Sequence, residues 1–474
     1  MKRGIILDIL GIVNFSEFEK NVYDYVCVLA RDITSEMLKI QDEQIKRQRD
    51  KKRYKIKDTK KATIKTVYGE VEYSRRYYYD TDKKEYVYLL DEMMDMDKFG
   101  TISANLAEKI SEACINMPYR KAAKTITETT GQSISSHGAW NVIQAIGGTI
   151  KLDEKIKHKQ MDNGRTQGKR KADVLFMEAD GVYLNMQHKK KKAKSRELKL
   201  STIYEGWDEE GKRLVNKKVY IGMESAEKFS ENSEALVQSI YDTGDSRRIL
   251  NGDGAAWISN TYDMNRTFQL DRFHIKKKII ECVKDKNVVK LALNKFTNSE
   301  YDELIDIIET YNNSIITSEN KAAIKAGKDI YSYLINNRDG LKSWQEQVGD
   351  IPEASEGMRY KNMGVQEGQN CSLITMRMKH RRMRWSDNGA DNLGKLIYTK
   401  ENGDLRRIIA MHDGIIPMMQ PEHIIDMIKP GEIAQRIGKG NKYIEAVQAH
   451  VPVINTALSN TSTALKNLFS NIKI

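Results

Sequence analysis

The sequence predicts an α/β protein, and three observations lead there. Between Lys171 and Leu270, strand-like and helix-like runs follow in the order β-β-β-α-β-α-β. Two of those strands end in an acid followed by glycine: Asp180 in Val174-Leu-Phe-Met-Glu-Ala-Asp-Gly181, and Asp253 in Arg248-Ile-Leu-Asn-Gly-Asp-Gly254. A third acid, Glu367, opens a basic helical stretch that runs to Trp385.

Composition sets the frame. A chain of 474 residues suggests about three domains of roughly 150 residues each. Mean hydropathy is −0.61 and 40% of residues are hydrophobic, which reads as soluble. No run approaches the roughly 18–20 apolar residues of a membrane span, so no membrane is expected among the partners. Met1–Val13 resembles a signal peptide, but Asp8 interrupts it and Glu17 and Glu19 follow, so an amphipathic helix start is expected. Cys27, Cys114, Cys282 and Cys371 are far apart and form no Cys-x-x-Cys. Neither a zinc ribbon nor a disulfide framework is supported, and a reducing cytoplasm fits. The net charge of +12 favours polyanions, although 66 acidic residues accompany the 78 basic ones and charge alone decides nothing.

The elements follow in order. Residues 1–60 are read as a helix over 14–50, with Phe18, Val22, Val26, Leu29 and Ile33 at spacings of three or four, and a charged linker from Lys46 to Lys61. Residues 61–100 are read as a hairpin turning at Gly69, because β-branched and aromatic residues dominate Ala62–Tyr79; Glu85–Leu90 adds a third strand. Residues 101–150 are helical. There Tyr119–Thr130, a turn at Gly131 and a helix capped by Ser133 or Ser135 and running through Ile146 make a helix-turn-helix-like pattern. A polar linker is expected from Lys151 to Lys171.

Residues 172–274 carry strands at Val174–Tyr183, Leu198–Tyr204 and Arg213–Gly222, a helix at Ser225–Tyr241, a strand at Arg248–Gly252, a short helix at Ala255–Tyr262 and a strand at Thr267–Leu270. That is the strand order of a ribonuclease-H-like core, in which the first and fourth strands are neighbours. Glu367 lies 114 residues beyond Asp253. Residues 275–350, helical and without proline, are read as an insertion into that core, 360–395 as its second part with the Glu helix, and 396–474 as a C-terminal helical region.

Acids on two neighbouring strands and a late helix suit a pair of Mg²⁺ or Mn²⁺ ions about 3.5–4 Å apart. The expected ligands are Asp180, Asp253 and Glu367. Glu178 shares a strand face with Asp180 and is expected to line the site, while Asp271 and His274, at a strand end, are further candidates. Gly181 and Gly254 are expected to let a phosphate or metal approach the backbone. Taken singly, Ala-Asp-Gly and Gly-Asp-Gly also read as turn signals. Phosphate contacts are expected from Lys189, Lys190, Lys191 and Lys192 in the loop after the first strand, and from Arg377, Lys379, Arg381, Arg382 and Arg384. Lysine runs are also ordinary solvated surface, and Trp385 is expected to pack rather than to stack on a base.

Several segments together carry a family resemblance: Thr66-Val-Tyr-Gly-Glu-Val-Glu-Tyr-Ser-Arg-Arg-Tyr77, Tyr119-Arg-Lys-Ala-Ala123, Met177-Glu-Ala-Asp-Gly-Val-Tyr183, Ile203-Tyr-Glu-Gly-Trp207, Asn251-Gly-Asp-Gly254, Asp271-Arg-Phe-His274 and Arg377-Met-Lys-His-Arg-Arg-Met-Arg-Trp-Ser386. The chain resembles the transposases of ISLre-type bacterial insertion sequences, long catalogued as an uncharacterised protein family and related in layout to Mutator-like transposases. The resemblance implies that Asp180, Asp253 and Glu367 form a DDE triad and that Asp271 and His274 match the Asp/Cys-x-x-His of the Mutator-like enzymes. One departure stands before the Glu: Asn362-Met-Gly-Val-Gln-Glu367 replaces an expected Gly-Ser-Gly-x-x-Glu pattern. The implied activity is metal-dependent cleavage of double-stranded DNA at element ends and strand transfer into target DNA. It implies a homodimer or larger assembly on DNA, in a nucleoid-associated cytoplasmic protein. Two other readings stand beside it: a non-catalytic DNA-binding protein derived from a transposase, and a standalone ribonuclease-H-like nuclease.

Overall fold

A computed structural model describes residues 14–411, apart from 95, 97–98, 167, 188–194, 260–265 and 318. The expectations for residues 1–13, for Lys189, Lys190, Lys191 and Lys192, and for 412–474 lie outside the described residues. The protein is a mixed α/β chain that divides into two units. One is drawn from Met1–Cys114, Tyr119–Val142 and Ile409–Ile474, the other from Ile115–Pro118 and Ile143–Ile408. None of the four cysteines is joined in a disulfide. Among the described residues no helix is long and apolar enough to cross a membrane.

In the first unit, helix Phe15–Gln48 begins where the Asn14 side chain accepts the Glu17 N–H at 3.0 Å, satisfying one of the donors every helix start leaves open. It packs Leu38 on a three-stranded sheet, in a core with Ile64, Val71, Tyr73 and Leu90. The sheet order is β1 (Tyr54–Thr66), β2 (Gly69–Asp80), β3 (Glu85–Val87), all antiparallel. The turn falls at Gly69, whose φ of 135° is open to glycine and few others. The charged linker expected up to Lys61 is therefore shorter. β1 starts at Tyr54, because an edge strand carries exposed lysines without cost and is protected by them. Arg76 of β2 reaches back to the helix, to Asp42 at 2.6 Å and to Glu43.

Helices Leu89–Met94, Ala104–Asn116 and Tyr119–Thr130 follow. Gly131 turns the chain at φ 67°, and Ser135, one of the two serines expected to cap, accepts the Gly138 N–H at 2.9 Å. The next helix does not stop near Ile146. It runs from Ser136 to Asp162, so the linker expected from Lys151 begins later. Gly147, just past the expected end, serves close packing: a Cβ there would lie 2.5–2.7 Å from the Asn392 side chain.

In the second unit, five strands form one sheet in the order β10-β9-β4-β5-β8: β4 is Val174–Asn185, β5 Ser195–Tyr204, β8 Lys218–Gly222, β9 Arg247–Gly252 and β10 Arg266–Leu270. β4 and β9 are parallel, as are β9 and β10, while β4–β5 and β5–β8 are antiparallel. The strand expected at Arg213–Gly222 is split. Leu214–Val215 (β7) joins β6 (Gly206–Asp208) and β11 (Met358–Arg359) in a small sheet, and Asn216, at φ 52°, turns the chain into β8.

Side chains alternate along β4. Leu175, Met177 and Ala179 enter a core with Ile203, Val237, Tyr241, Leu250 and Ile258, covered by helix Ala226–Ile240. Val174 and Phe176 enter the opposite core with Tyr204, Trp207, Ile249, Trp344 and Met363. The stretch expected to be helical holds Arg272–Cys282, Lys286–Thr297, Tyr301–Ile315 and Lys321–Asn336, around Ile279, Phe296, Leu304, Ile308, Ile330 and Leu334. Helix Asp387–Glu401 lies against β8 and β5, with Gly394 facing Ile221 and Leu198. Its buried Lys395 pairs with Glu154 at 2.7 Å.

Candidate metal centre

The alternation that puts Val174 and Phe176 in one core carries Glu178 and Asp180 onto the same face. In the parallel pairing Glu178 lies opposite Asn251 and Ala179 opposite Gly252. Asp180, within β4 rather than at its end, and Asp253 therefore stand next to each other just past the last paired residues of the two strands. Helix Arg272–Cys282 starts just beyond β10, and the Asp271 side chain caps it by accepting the His274 N–H at 3.0 Å. That cap places His274 in the first turn, facing Asp180: its Nε2 is 3.9 Å from Asp180 Oδ2. Glu367 comes from the short helix Gln366–Gln369. One ligand atom each of Asp180, His274 and Glu367 lies within 4.8 Å of the others.

Asp180 is held from two sides. One oxygen accepts the Gly181 N–H at 2.7 Å, and the other accepts Asn370 Nδ2 at 2.6 Å. Burial pushes its carboxyl up to about 6. The Gly181 N–H and His274 oppose that shift, and the Asp253 and Glu367 charges add to it. Like charges and desolvation on one carboxylate are the conditions that an added cation relieves. Asp253 is fixed through its own loop: its side chain accepts the Ala255 N–H at 2.8 Å, and its carbonyl accepts the Tyr333 hydroxyl at 2.9 Å. Gly254 is required there by its φ of 83°, and a Cβ would lie 2.9 Å from Leu270 Cδ2. Gly181 differs from expectation: the space at its Cα is taken by the Glu197 carboxyl, not left for a ligand.

Glu178 corrects a second expectation. It does not line the site but lies fully buried behind it. It accepts the Tyr204 hydroxyl at 2.6 Å, Asn251 Nδ2 at 2.9 Å, and the N–H groups of Gly364 at 3.0 Å and Val365 at 3.1 Å. Burial raises its pKa and those donors oppose the rise. The carboxylate thus holds the backbone just before Glu367. Asp271 belongs to the same layer. Besides capping the His274 helix, it accepts Asn251 Nδ2 at 2.9 Å, while Asn251 Oδ1 accepts Gln269 Nε2 at 3.0 Å. Glu178, Asn251 and Asp271 join the three elements that bear the site residues.

Asn370 escaped the sequence reading. It opens a stretch, Asn370–Lys379, in which the backbone bonds i to i+5 as a π-helix, a rare form that is frequent at functional sites. Its only signal in the sequence is its place three residues after Glu367. The basic residues beyond divide. Arg377 is corrected from a phosphate contact to a packed side chain, buried with its guanidinium 5.4 Å from the Trp385 ring. Lys379, Arg382 and Arg384 are exposed, and the Arg381 side chain lies outside the described residues. Trp385 packs as expected: its indole N–H donates to the Met378 carbonyl at 2.8 Å. Its backbone pairs with the end of β4 through Asn185 and Gln187.

With this geometry in hand, comparison with known proteins places the sequence. The model of an uncharacterised protein family, UPF0236, matches residues 10–414. The chain belongs to UPF0236. One UPF0236 relative from Caldanaerobacter subterraneus subsp. tengcongensis is 24% identical over 412 residues, covering 84% of this chain and 81% of its own. Another from the same organism, equally identical, carries eleven locus designations in its name. A UPF0236 protein of Streptococcus gallolyticus, named for its position in a vanSb 3′ region, is 24% identical over 82% of this chain and 84% of its own.

Proposed function

We propose that this UPF0236 protein is the DDE transposase of a bacterial insertion sequence, with a ribonuclease-H-like catalytic core interrupted by the helices of 275–350. The observation that carries this reading is the meeting of Asp180 and Asp253, where the parallel pairing of β4 and β9 ends, with Glu367 and His274. The sheet order, with the first and fourth strands side by side, supports the core assignment. A relative whose name joins eleven loci of one organism supports a mobile origin, since a copied element leaves the same gene at many places.

The donor set fits divalent cations: carboxylate oxygens converge with one imidazole nitrogen on a partly buried acid whose neighbours repel it. Bound there, Mg²⁺ or Mn²⁺ would supply an activated water or 3′-hydroxyl and offset charge in an in-line displacement at phosphorus. Asp180, Asp253 and Glu367 would hold the cations. Asn370 would keep Asp180 in one rotamer, and His274 would add a nitrogen ligand. Exposed Lys379, Arg382 and Arg384 would hold DNA phosphates. Nitrogen suits Mn²⁺ better than Mg²⁺, so Mn²⁺ is expected to support the faster reaction.

The test is nicking of the DNA that flanks the gene, with Mn²⁺ or Mg²⁺, by the full chain. Asp180→Ala, Asp253→Ala and Glu367→Ala are each expected to lower the rate by at least about a thousandfold, as loss of a cation ligand does to a metal-dependent displacement. Nicking that survives Asp180→Ala or Asp253→Ala overturns the assignment.

A further inference from the structure

We propose that the open tyrosine patch at the β3 end of the β1–β2–β3 sheet binds an unpaired DNA strand, stacking bases on tyrosines and holding phosphates on lysines. Tyr77 and Tyr79 of β2, Tyr86 of β3 and Tyr88 just after it form one group of rings. Tyr77 and Tyr86 stack at 5.1 Å with planes 12° apart, Tyr88 lies 4.7 Å from Tyr77, and Tyr79 lies 5.1 Å from Tyr86. Tyr86 is 55% exposed, so its ring is accessible to a base.

The lysines sit beside these rings. Lys55 is directly opposite Tyr79 in the β1–β2 register, and Tyr86 is opposite Tyr79 on the other side; cross-strand partners share a face. The Lys57 ammonium is 5.6 Å from the centre of the Tyr79 ring. Lys55, Lys57 and Lys60 are all exposed, although Lys60 is paired with Asp58 at 2.5 Å. The neighbouring side chains Arg76 and Tyr78 go the other way: Arg76 binds Asp42 of helix Phe15–Gln48, and Tyr78 is fully buried. The tyrosines therefore occupy the open end of their face, whose other end, at Val71 and Tyr73, packs against Leu38.

The chemistry selects the occupant. Protein-docking cores are depleted in lysine, whereas rings edged by ammonium groups match a polymer of flat bases on a phosphate chain. Rings lying on a sheet need bases that are already unstacked, so an unpaired strand fits and a closed duplex does not. The choice of DNA over RNA rests on the transposition reading; the rest of the inference does not.

The experiment measures fluorescence anisotropy of labelled oligo(dT), oligo(rU) and a duplex with the full chain in EDTA, where no metal-dependent cleavage occurs. Oligo(dT) is expected to bind more tightly than either competitor. Tyr86→Ser is expected to weaken oligo(dT) binding about tenfold, within the range measured for one stacked base, and Tyr86→Phe to retain it. Lys57→Gln is expected to lower the salt slope by about 0.7. Unchanged oligo(dT) affinity in Tyr86→Ser and Lys57→Gln overturns the proposal, as does equal binding of the duplex; tighter binding of oligo(rU) overturns the DNA assignment. Tyr86-dependent binding without metal-dependent nicking removes only the transposase reading, and nicking without Tyr86-dependent binding removes only this one.

Discussion

Glu178 and Asp180 stand two residues apart on one strand face, and nothing in their spacing tells them apart. What separates them is what arrives later in the chain. Backbone N–H groups of Gly364 and Val365 close over Glu178, while Asp180 meets His274, Asn370 and Glu367. Glu178→Ala leaves those N–H groups and the Tyr204 hydroxyl without their acceptor in the interior. It is expected to cost about 3–5 kcal/mol, the usual consequence of removing one partner of a buried charge, and Glu178→Gln less; urea midpoints measure both. Asp180 behaves oppositely. Its folded pKa, about 6, lies above its unfolded value, so its contribution to stability is fully present below the unfolded pKa and is lost as pH rises through about 6. Metal-free Asp180→Asn is therefore expected to melt above the parent at neutral pH, and to converge with it in acid. Stabilisation of the parent by Mn²⁺ is expected to appear only above that pH, where the carboxylate is free to bind.

At the scale of elements, the five-stranded sheet was legible. Its strands are continuous apolar runs bounded by turn residues, and Asp-Gly marks where β9 ends. Three elements were not. β1 reads as a linker from Tyr54 to Lys61, because an exposed edge strand has no hydrophobic periodicity to detect. The helix Ser136–Asp162 hides behind Gly147-Gly148, of which Gly147 serves close packing on Asn392. The π-helix after Glu367 leaves no pattern in residue types, since it changes the hydrogen-bond register without changing composition. The loop that ends β9 supplies a test. Gly254→Ala introduces a left-handed residue against Leu270 and is expected to cost about 1–3 kcal/mol. It is also expected to displace Asp253 enough to weaken Mn²⁺ binding, which calorimetry on the folded variant measures.

For the whole molecule, the excess of twelve positive charges predicts DNA binding that weakens steeply with salt. A plot of log affinity against log salt for a duplex is expected to fall by roughly 0.9 for each phosphate contacted, and removing Lys379, Arg382 and Arg384 together to flatten it; an unchanged slope places the contacts elsewhere. The sequence carried the net charge but not its disposition, since Arg377, in the most basic segment, is spent on packing. The bond from Gly364 to Glu178 spans 186 residues. A ribosome adding about 5–20 residues per second takes roughly 10–40 s to cover that distance. During that interval a nascent chain displays its first two acids without the segment that brings the third, and in a bacterium the nearest DNA is the gene being read. On the transposase reading, the long detour through the helices would thus work as a timer, withholding cutting competence until synthesis has moved well past the first two acids.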